Sequence, residues 1–327
     1  ASALADLSST EYASAANRFA TDYTGKTIIL HTNDVHGAIE GYAYIPTLRN
    51  WFEEKGASDV ITVDCGDYSQ GTVYVSTSKG HSAIEMMNAA GYDLVTLGNH
   101  EFDFGYEQLL KNLEDAEFMV LCADVIEVES GENVFIPAVV CETDNGLKIG
   151  FFGMETPETA TKVNPGMIKE IDFTTFDALY EAAQSAVDAL KEAEVDLVVG
   201  LCHLGVDIES KANGYRSIDL LNKVDGIDFI LDGHSHTVMT AGENGEPIQS
   251  TGTKFANIGV VVIDNETKQI ENHFLVSTDG LAKNGPVLAL AKSIMAEVDA
   301  KYNAVFATSE VLLNGERAPG NRTEETN

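Results

Sequence analysis

The chain has 327 residues, with 20 Lys and Arg against 52 Asp and Glu, and a formal net charge of −32 at pH 7. Such a surface argues against a nucleic-acid polymer or an anionic membrane as partner, since both need basic surface. It also repels phosphorylated small molecules at long range, so a phosphate-binding site here needs strong local positive charge. No apolar run approaches the roughly 18 residues of a membrane span, and the length suits one large domain or two smaller ones.

Residues 1–24 are polar and alanine-rich. Ser8 and Glu11 have the spacing of a capping box for a short peripheral helix ending near Ala20. The opening Ala1-Ser2-Ala3 matches the small-residue pattern of a secretory cleavage site, although a full signal peptide is not read in this sequence. From Thr27 a strand, a polar loop and a helix recur in order. Ile28-Ile29-Leu30 is followed by a helix over Thr47–Lys55, Val60–Val63 by one over Ser82–Ala90, and Leu94–Leu97 by one over Tyr106–Leu113. That alternation predicts parallel βαβ units.

Farther on, Val134–Cys141 and Leu147–Phe152 flank Thr143-Asp144-Asn145-Gly146, a hairpin signal. Leu179, Ala183, Ala186, Val187 and Leu190 recur at helical spacing within Thr175–Ala193. Val195–Leu201 and Ile227–Leu231 read as further strands. Between Pro247 and Val276 the pattern predicts antiparallel strands turning at Asp264-Asn265-Glu266-Thr267, and Val287–Tyr302 reads as a helix. Parallel and antiparallel stretches together suggest two sheets, or one mixed sheet, covered by helices. Cys65, Cys122 and Cys202 sit in or beside apolar runs and read, with Cys141, as unpaired core residues. Cys202 should face away from His203, because neighbours on a strand point to opposite sides.

Four apolar runs end in clusters of metal-type ligands: Thr32-Asn33-Asp34-Val35-His36-Gly37, Cys65-Gly66-Asp67, Gly98-Asn99-His100-Glu101-Phe102-Asp103 and Gly233-His234-Ser235-His236. A fifth is Leu201-Cys202-His203-Leu204-Gly205. Asp34, His36, Asp67, Asn99, His203, His234 and His236 make an oxygen-and-nitrogen set large enough for two ions. Ligands placed at strand ends can converge on one edge of a sheet, where open α/β folds bind and react. Two ions about 3.5–4 Å apart are a standard device for displacement at phosphorus, so the chain reads as a phosphoesterase. Asp103, three residues beyond His100, can hydrogen-bond that imidazole and raise its proton affinity. Glu101 and Asp64 read as supporting or capping carboxylates, His31 as a packing or supporting residue within the first strand, and His81 and His273 as exposed structural histidines.

This ordered set resembles the calcineurin-like metallophosphoesterases, and more narrowly the N-terminal catalytic domain of the bacterial 5′-nucleotidase, UDP-sugar hydrolase and cyclic-nucleotide phosphodiesterase family. The resemblance covers nearly everything from Thr27 onward. It implies a four-layer α/β/β/α sandwich with two mixed sheets, and a first ion held by Asp34, His36 and His236. A second would be held by Asn99, His203 and His234, with Asp67 bridging and His100 and Asp103 as the catalytic dyad. The absence of cysteine from the set suits two divalent ions such as Zn²⁺, Mn²⁺ or Fe.

The resemblance further implies residues 25–312 as the catalytic domain and residues 313–327, including Leu313-Asn314-Gly315-Glu316-Arg317, as a linker-like passage to a C-terminal substrate-binding domain. It also implies an extracytoplasmic setting: secreted, periplasmic or cell-wall associated. The expected function is metal-dependent hydrolysis of nucleotide phosphate monoesters, 5′-nucleotidase type, with a small-molecule nucleotide or related phosphate ester as substrate. A 2′,3′-cyclic-nucleotide phosphodiesterase or 3′-nucleotidase, a UDP-sugar hydrolase or a sulfur-ester hydrolase would use the same metal chemistry. A non-enzymatic metal-holding module would be expected to lose a ligand or the His100–Asp103 pair, and neither is lost.

Overall fold

The computed structural model describes residues 20–302 together with 305, 307, 308 and 310. The helix expected from Ser8 toward Ala20 and the tail 313–327 lie outside the described residues. Strand β1 (Lys26–Thr32) shows how the sequence builds two cores at once. Successive strand side chains alternate in direction. Ile28 and Leu30 therefore pack with helices on one side, while Ile29 packs against a second sheet on the other.

The first half continues with α1 (Tyr44–Glu54), β2 (Asp59–Asp64), α2 (Val73–Ser76), α3 (His81–Ala90), β3 (Leu94–Val95), α4 (Tyr106–Leu113), β4 (Met119–Val120) and β5 (Val125–Glu127). The middle supplies β6 (Ala138–Glu142), β7 (Lys148–Glu155), α5 (Thr159–Lys162), β8 (Ile171–Phe173), α6 (Asp177–Glu192), β9 (Leu197–His203), α7 (Ile208–Asn213) and α8 (Ser217–Lys223). The last part holds β10 (Phe229–Asp232), β11 (Val238–Met239), β12 (Ile248–Thr251), β13 (Asn257–Asp264), β14 (Gln269–Ser277) and α9 (Gly285–Tyr302).

Two six-stranded sheets result, ordered β14-β13-β1-β2-β3-β4 and β11-β12-β10-β9-β7-β6. Both are mixed. β1 pairs parallel with β2 and antiparallel with β13, while β7 pairs parallel with β9 and antiparallel with β6. Three apolar clusters separate four layers. Ile29, Val63, Val261, Phe151, Val199 and Leu231 fill the space between the sheets. Leu48, Phe52, Met87 and Ala291 of α1, α3 and α9 cover the first sheet, and Leu179, Ala183, Val187 and Leu220 of α6 and α8 cover the second. This is the α/β/β/α sandwich. No described helix is long and apolar enough to cross a membrane.

Several boundaries differ from the sequence reading. Helix α1 starts at Tyr44, before Pro46, because the first turn of a helix leaves its N–H groups unbonded and tolerates proline. β3 stops at Val95, since the chain must turn for the Gly98 segment. β12 is parallel to β10 and not part of a purely antiparallel run. The pairing of β13 with β14 is antiparallel as expected, across the turn at Asp264. The Thr143–Gly146 hairpin closes through Thr143 N–H to Leu147 O (2.9 Å) and Gly146 N–H to Thr143 O (2.9 Å).

All four cysteines are free; Cys65, Cys122 and Cys202 are buried and Cys141 is half-buried. Cys202 packs in the helix-covered core, away from His203. His31 is fully buried and its Nε2 lies 2.8 Å from Gln249 Oε1, a polar tie between β1 of one sheet and β12 of the other. His81 pairs with Asp115 at the surface (3.0 Å). His273, expected to be exposed, is half-buried against Phe229 with ring centroids 4.9 Å apart.

Candidate metal centre

Parallel register brings the strand ends level. Thr32 of β1 sits opposite Asp64 of β2, while Glu155, His203 and then Cys202 and Asp232 align across β7, β9 and β10. The loops leaving β1, β2 and β3 carry Asp34, His36, Asp67 and Asn99; β9 ends in His203, and the loop after β10 carries His234 and His236. The candidate ligands thus meet where the C-terminal edges of both sheets face each other.

Asp34, His36 and His236 form one group whose ligand atoms lie within 4.8 Å of one another; Asp67, His203 and His234 form a second. Asn99 joins the second group through Oδ1, 3.0 Å from His234 Nδ1. Asp67 faces both. Its Oδ2 lies 3.2 Å from His203 Nε2 and 3.7 Å from His36 Nε2. His36 Nε2 and His236 Nε2 are 2.9 Å apart, and Asp34 Oδ1 is 3.4 Å from His236 Nε2. His100 joins a third group with His36 and Asp67, and its Nδ1 lies 2.6 Å from Asp103 Oδ2.

The donor set fits divalent cations. His203 Nε2 is buried and has no hydrogen-bond partner of its own, although Asp67 Oδ2 lies 3.2 Å away. Its other nitrogen is occupied by the Cys65 carbonyl (2.5 Å). Two imidazole nitrogens converging at His36 and His236 likewise want a shared electron acceptor between or beside them. Carboxylate, amide and imidazole donors suit Zn²⁺, Mn²⁺ or Fe.

Backbone conformation is unusual here. Asp34 (φ 51°), His36 (45°), Asp67 (66°), His234 (71°) and His236 (52°) all occupy the left-handed region. Non-glycine residues there cost on the order of 1–2 kcal/mol each and persist only where the surroundings over-determine them. The surroundings do so. Asp34 N–H donates to Gly66 O (2.9 Å), His36 N–H to Asp67 O (3.0 Å), and Lys254 N–H to Asp34 O (2.9 Å). Gly98 lets the second sheet approach, since a Cβ there would run into Asp67 and His203.

Supporting side chains hold these loops. Buried Glu101 accepts four backbone N–H groups, from Asp67 (2.7 Å), Tyr68 (2.9 Å), Ser69 (2.9 Å) and Gly98 (2.7 Å), tying two ligand loops to one carboxylate. Asp64 accepts from Thr32 Oγ1 (2.5 Å) and Gly66 N–H (2.8 Å). Both carboxylates support the loops, as their sequence positions suggested. Asn33 and Glu158 were not anticipated. Asn33 donates to Asp34 Oδ2 (2.7 Å) and Gly252 O (2.8 Å), and accepts from Thr251 N–H (2.9 Å) and Oγ1 (2.7 Å). Glu158 Oε2 lies 3.1 Å from His234 Nε2. It follows the end of β7, so the strand-end rule that picked out the other loops could have found it.

Charge and burial compete throughout. Burial pushes the His203 imidazole down, but the nearby Asp67, the Asp34 charge and the Cys65 carbonyl together outweigh it and hold His203 well above the ordinary histidine range. Burial likewise lowers His100, and the hydrogen bond to Asp103 with the Asp67 charge reverses the sign, leaving it raised. Burial dominates at His36, which is lowered. The hydrogen bond to Asp34 leads at His236, which is raised. Burial and the Asp67 charge push Glu101 up to about 7 against its four N–H donors.

A two-sheet sandwich with nitrogen and oxygen ligands gathered on its strand-end edge defines a metal-dependent phosphoesterase. The chain belongs to the calcineurin-like phosphoesterase family, whose sequence profile matches residues 27–238. It is 33% identical over 237 residues to a 5′-nucleotidase of Diplobatis ommata, covering 66% of this chain and 38% of that protein. It is 28% identical over 348 residues to the trifunctional nucleotide phosphoesterase protein YfkN of Bacillus subtilis, covering 91% of this chain and 22% of that protein. The crystal structure of calcineurin-like phosphoesterase YfkN from Bacillus subtilis shares the fold, with a TM-score of 0.69 at 22% identity over 84% of this chain and 98% of that one. The chain therefore spans well under half the length of these two curated relatives.

Proposed function

We propose that this centre holds two divalent ions and hydrolyses phosphate monoesters of nucleotides, in the manner of a 5′-nucleotidase. Asp34, His36 and His236 would hold the first ion, Asn99, His203 and His234 the second, and Asp67 would bridge them. The observation that carries the reading is the single oxygen Asp67 Oδ2, which faces His203 of one group and His36 of the other. Divalent ions held there would neutralise charge at the phosphoryl oxygens and make water acidic enough to attack phosphorus near neutral pH.

The chain's own groups do the rest. Asp103 occupies His100 Nδ1, which leaves Nε2 of that ring to face the substrate. A raised proton affinity favours the charged imidazole, the form that can stabilise the phosphoryl group and protonate the departing oxygen. The His100 backbone N–H donates to Asp67 Oδ1 (2.9 Å), which sets the dyad's distance from the bridging carboxylate.

We infer further that residues 25–312 form the catalytic unit, that residues 313–327 lead to a substrate-binding domain in the full-length protein, and that the enzyme acts outside the cytoplasm. The greater length of the relatives supports the second domain, and the family resemblance supports the location, which fractionation of the source cells would test. Binding energy from remote parts of a substrate raises kcat as well as affinity. The test compares this chain with a form extended through the downstream domain, on AMP and an aryl phosphate under identical Mn²⁺. The expected result is slow aryl phosphate hydrolysis by this chain, and nucleotide kcat/KM higher by orders of magnitude in the longer form at unchanged metal content. Equal, selective nucleotide hydrolysis by both would place specificity in this domain and refute the division of labour. A 2′,3′-cyclic nucleotide in the same panel addresses the second reading, and the relative described as a trifunctional nucleotide phosphoesterase is a reason to include it.

A further inference from the structure

The imidazole of His234 is gripped at both nitrogens. Nδ1 faces Asn99 Oδ1 at 3.0 Å, on the side of the candidate second ion, while Nε2 lies 3.1 Å from Glu158 Oε2 on the side away from it. Glu158 is buried, 4% exposed, just before α5. Its carboxylate is held in turn by Lys162 Nζ at Oε2 (2.8 Å) and by Asn213 Nδ2 at Oε1 (3.0 Å). Residues from three separate places in the fold, Lys162, Asn213 and His234, therefore converge on one carboxylate.

We propose that Glu158 is a positioning residue for the second metal ion, acting through His234. The inference rests on the two-ion reading above. Its physical basis is the tautomer. A carboxylate can only accept, and it lies nearer to Nε2 (3.1 Å) than the Lys162 ammonium (3.4 Å), whose closer partner is Glu158 Oε2 (2.8 Å). The proton of His234 therefore resides on Nε2 and the lone pair on Nδ1 points at Asn99 and the candidate ion. A partner of this kind fixes the ring's orientation and raises its basicity as a ligand. The His234 backbone sits in the left-handed region at φ 71° and its N–H donates to Asp34 Oδ1 (3.2 Å), while the ring itself is held by Asn99 at Nδ1 and Glu158 at Nε2. Lys162 and Asn213 keep the carboxylate charged and stationary in a buried place, at a corner where the protein's excess of acidic groups would otherwise disfavour another negative charge.

The consequence is asymmetric. Loss of Glu158 weakens the ion held by Asn99, His203 and His234 and spares the one held by Asp34, His36 and His236. The experiment measures Mn²⁺ uptake by equilibrium dialysis for the wild-type chain and for E158A, E158Q and N213A, alongside melting of the metal-free proteins. In E158A one of the two ions should weaken by roughly 10–100-fold, the usual effect of losing such a partner, while the other stays within about twofold. E158Q, whose amide oxygen still accepts from Nε2–H, should recover much of the loss, and N213A should show a smaller shift. Wild-type affinity for both ions in E158A would overturn the proposal. So would equal weakening of both ions with a fall in metal-free melting temperature and no rescue by E158Q, since that pattern belongs to a general structural role. Should E158A fail to fold, E158Q and N213A decide by the same criterion. A wild-type chain that takes up one ion refutes the two-ion reading instead, and Glu158 then stands or falls on whether its loss weakens that ion.

Discussion

Replacing Asp103 by Asn removes the negative end of the His100–Asp103 pair while keeping a side chain of the same shape. The two groups are 2.6 Å apart, with side-chain exposures of 32% and 26%. Hydrogen bonds to charged groups contribute about 1.5–3 kcal/mol, and partial exposure to solvent places this one near the lower end. If the imidazole carries positive charge in the transition state, losing about 1.5 kcal/mol slows turnover about tenfold, since each 1.36 kcal/mol is a factor of ten. His100→Ala removes the acid altogether and should cost on the order of 10²-fold or more.

The pH profile carries the sharper test. His100 is raised above its ordinary 6.5, so the protonated form persists to higher pH and activity that needs it is lost as pH rises through the raised value. In Asp103→Asn the imidazole loses its strongest support, so the alkaline limb of kcat should move to lower pH. The assay is aryl phosphate hydrolysis from pH 5 to 10 at saturating Mn²⁺, with metal content measured on the same samples. An unchanged rate and limb in Asp103→Asn, or metal loss in His100→Ala, would refute the dyad.

Metal analysis of wild-type chain prepared without chelator should approach two ions per chain, and Asp67→Asn should weaken both, because the carboxylate facing the two groups loses its charge; tight retention of either ion by that variant would remove Asp67 as the bridge. Metal uptake should release protons at pH 7, because Asp67 keeps His203 charged in the metal-free site and a ligand must be neutral. The apparent affinity should therefore fall as pH falls. Calorimetry in two buffers of different ionisation enthalpy reads this directly, and no proton release at pH 7 would contradict it. Gly98→Ala should abolish tight metal binding, since its new methyl would enter the space of Asp67 and His203. Wild-type uptake with intact folding would show that the two sheets can separate there at little cost.

Much of the fold was legible because its signals are local. Alternating apolar residues in β1 and β2, helical spacing in α6 and the Thr143–Gly146 turn each depend on a few neighbouring residues. Element ends were less legible, as at β3 and α1, because they depend on what the next loop must do. The parallel pairing of β12 with β10 was not legible at all, since strand direction within a sheet is set by partners distant in sequence.

The candidate site divides the same way. Ligand-type residues clustered after apolar runs mark the loops that leave the strands, and the sequence by itself determined which side chains, Asp34 through His236, are available to a metal. Only the tertiary structure decided how they associate: that Asp67 Oδ2 faces both groups, that Glu101 ties the Asp67 and Gly98 loops together, and that Glu158 reaches His234 from 76 residues away. The left-handed backbone at five of these candidate ligands belongs with that second set. A residue's chemistry is carried by its own side chain, but its partners and its strain are imposed by two sheets whose edges meet only once the chain has folded.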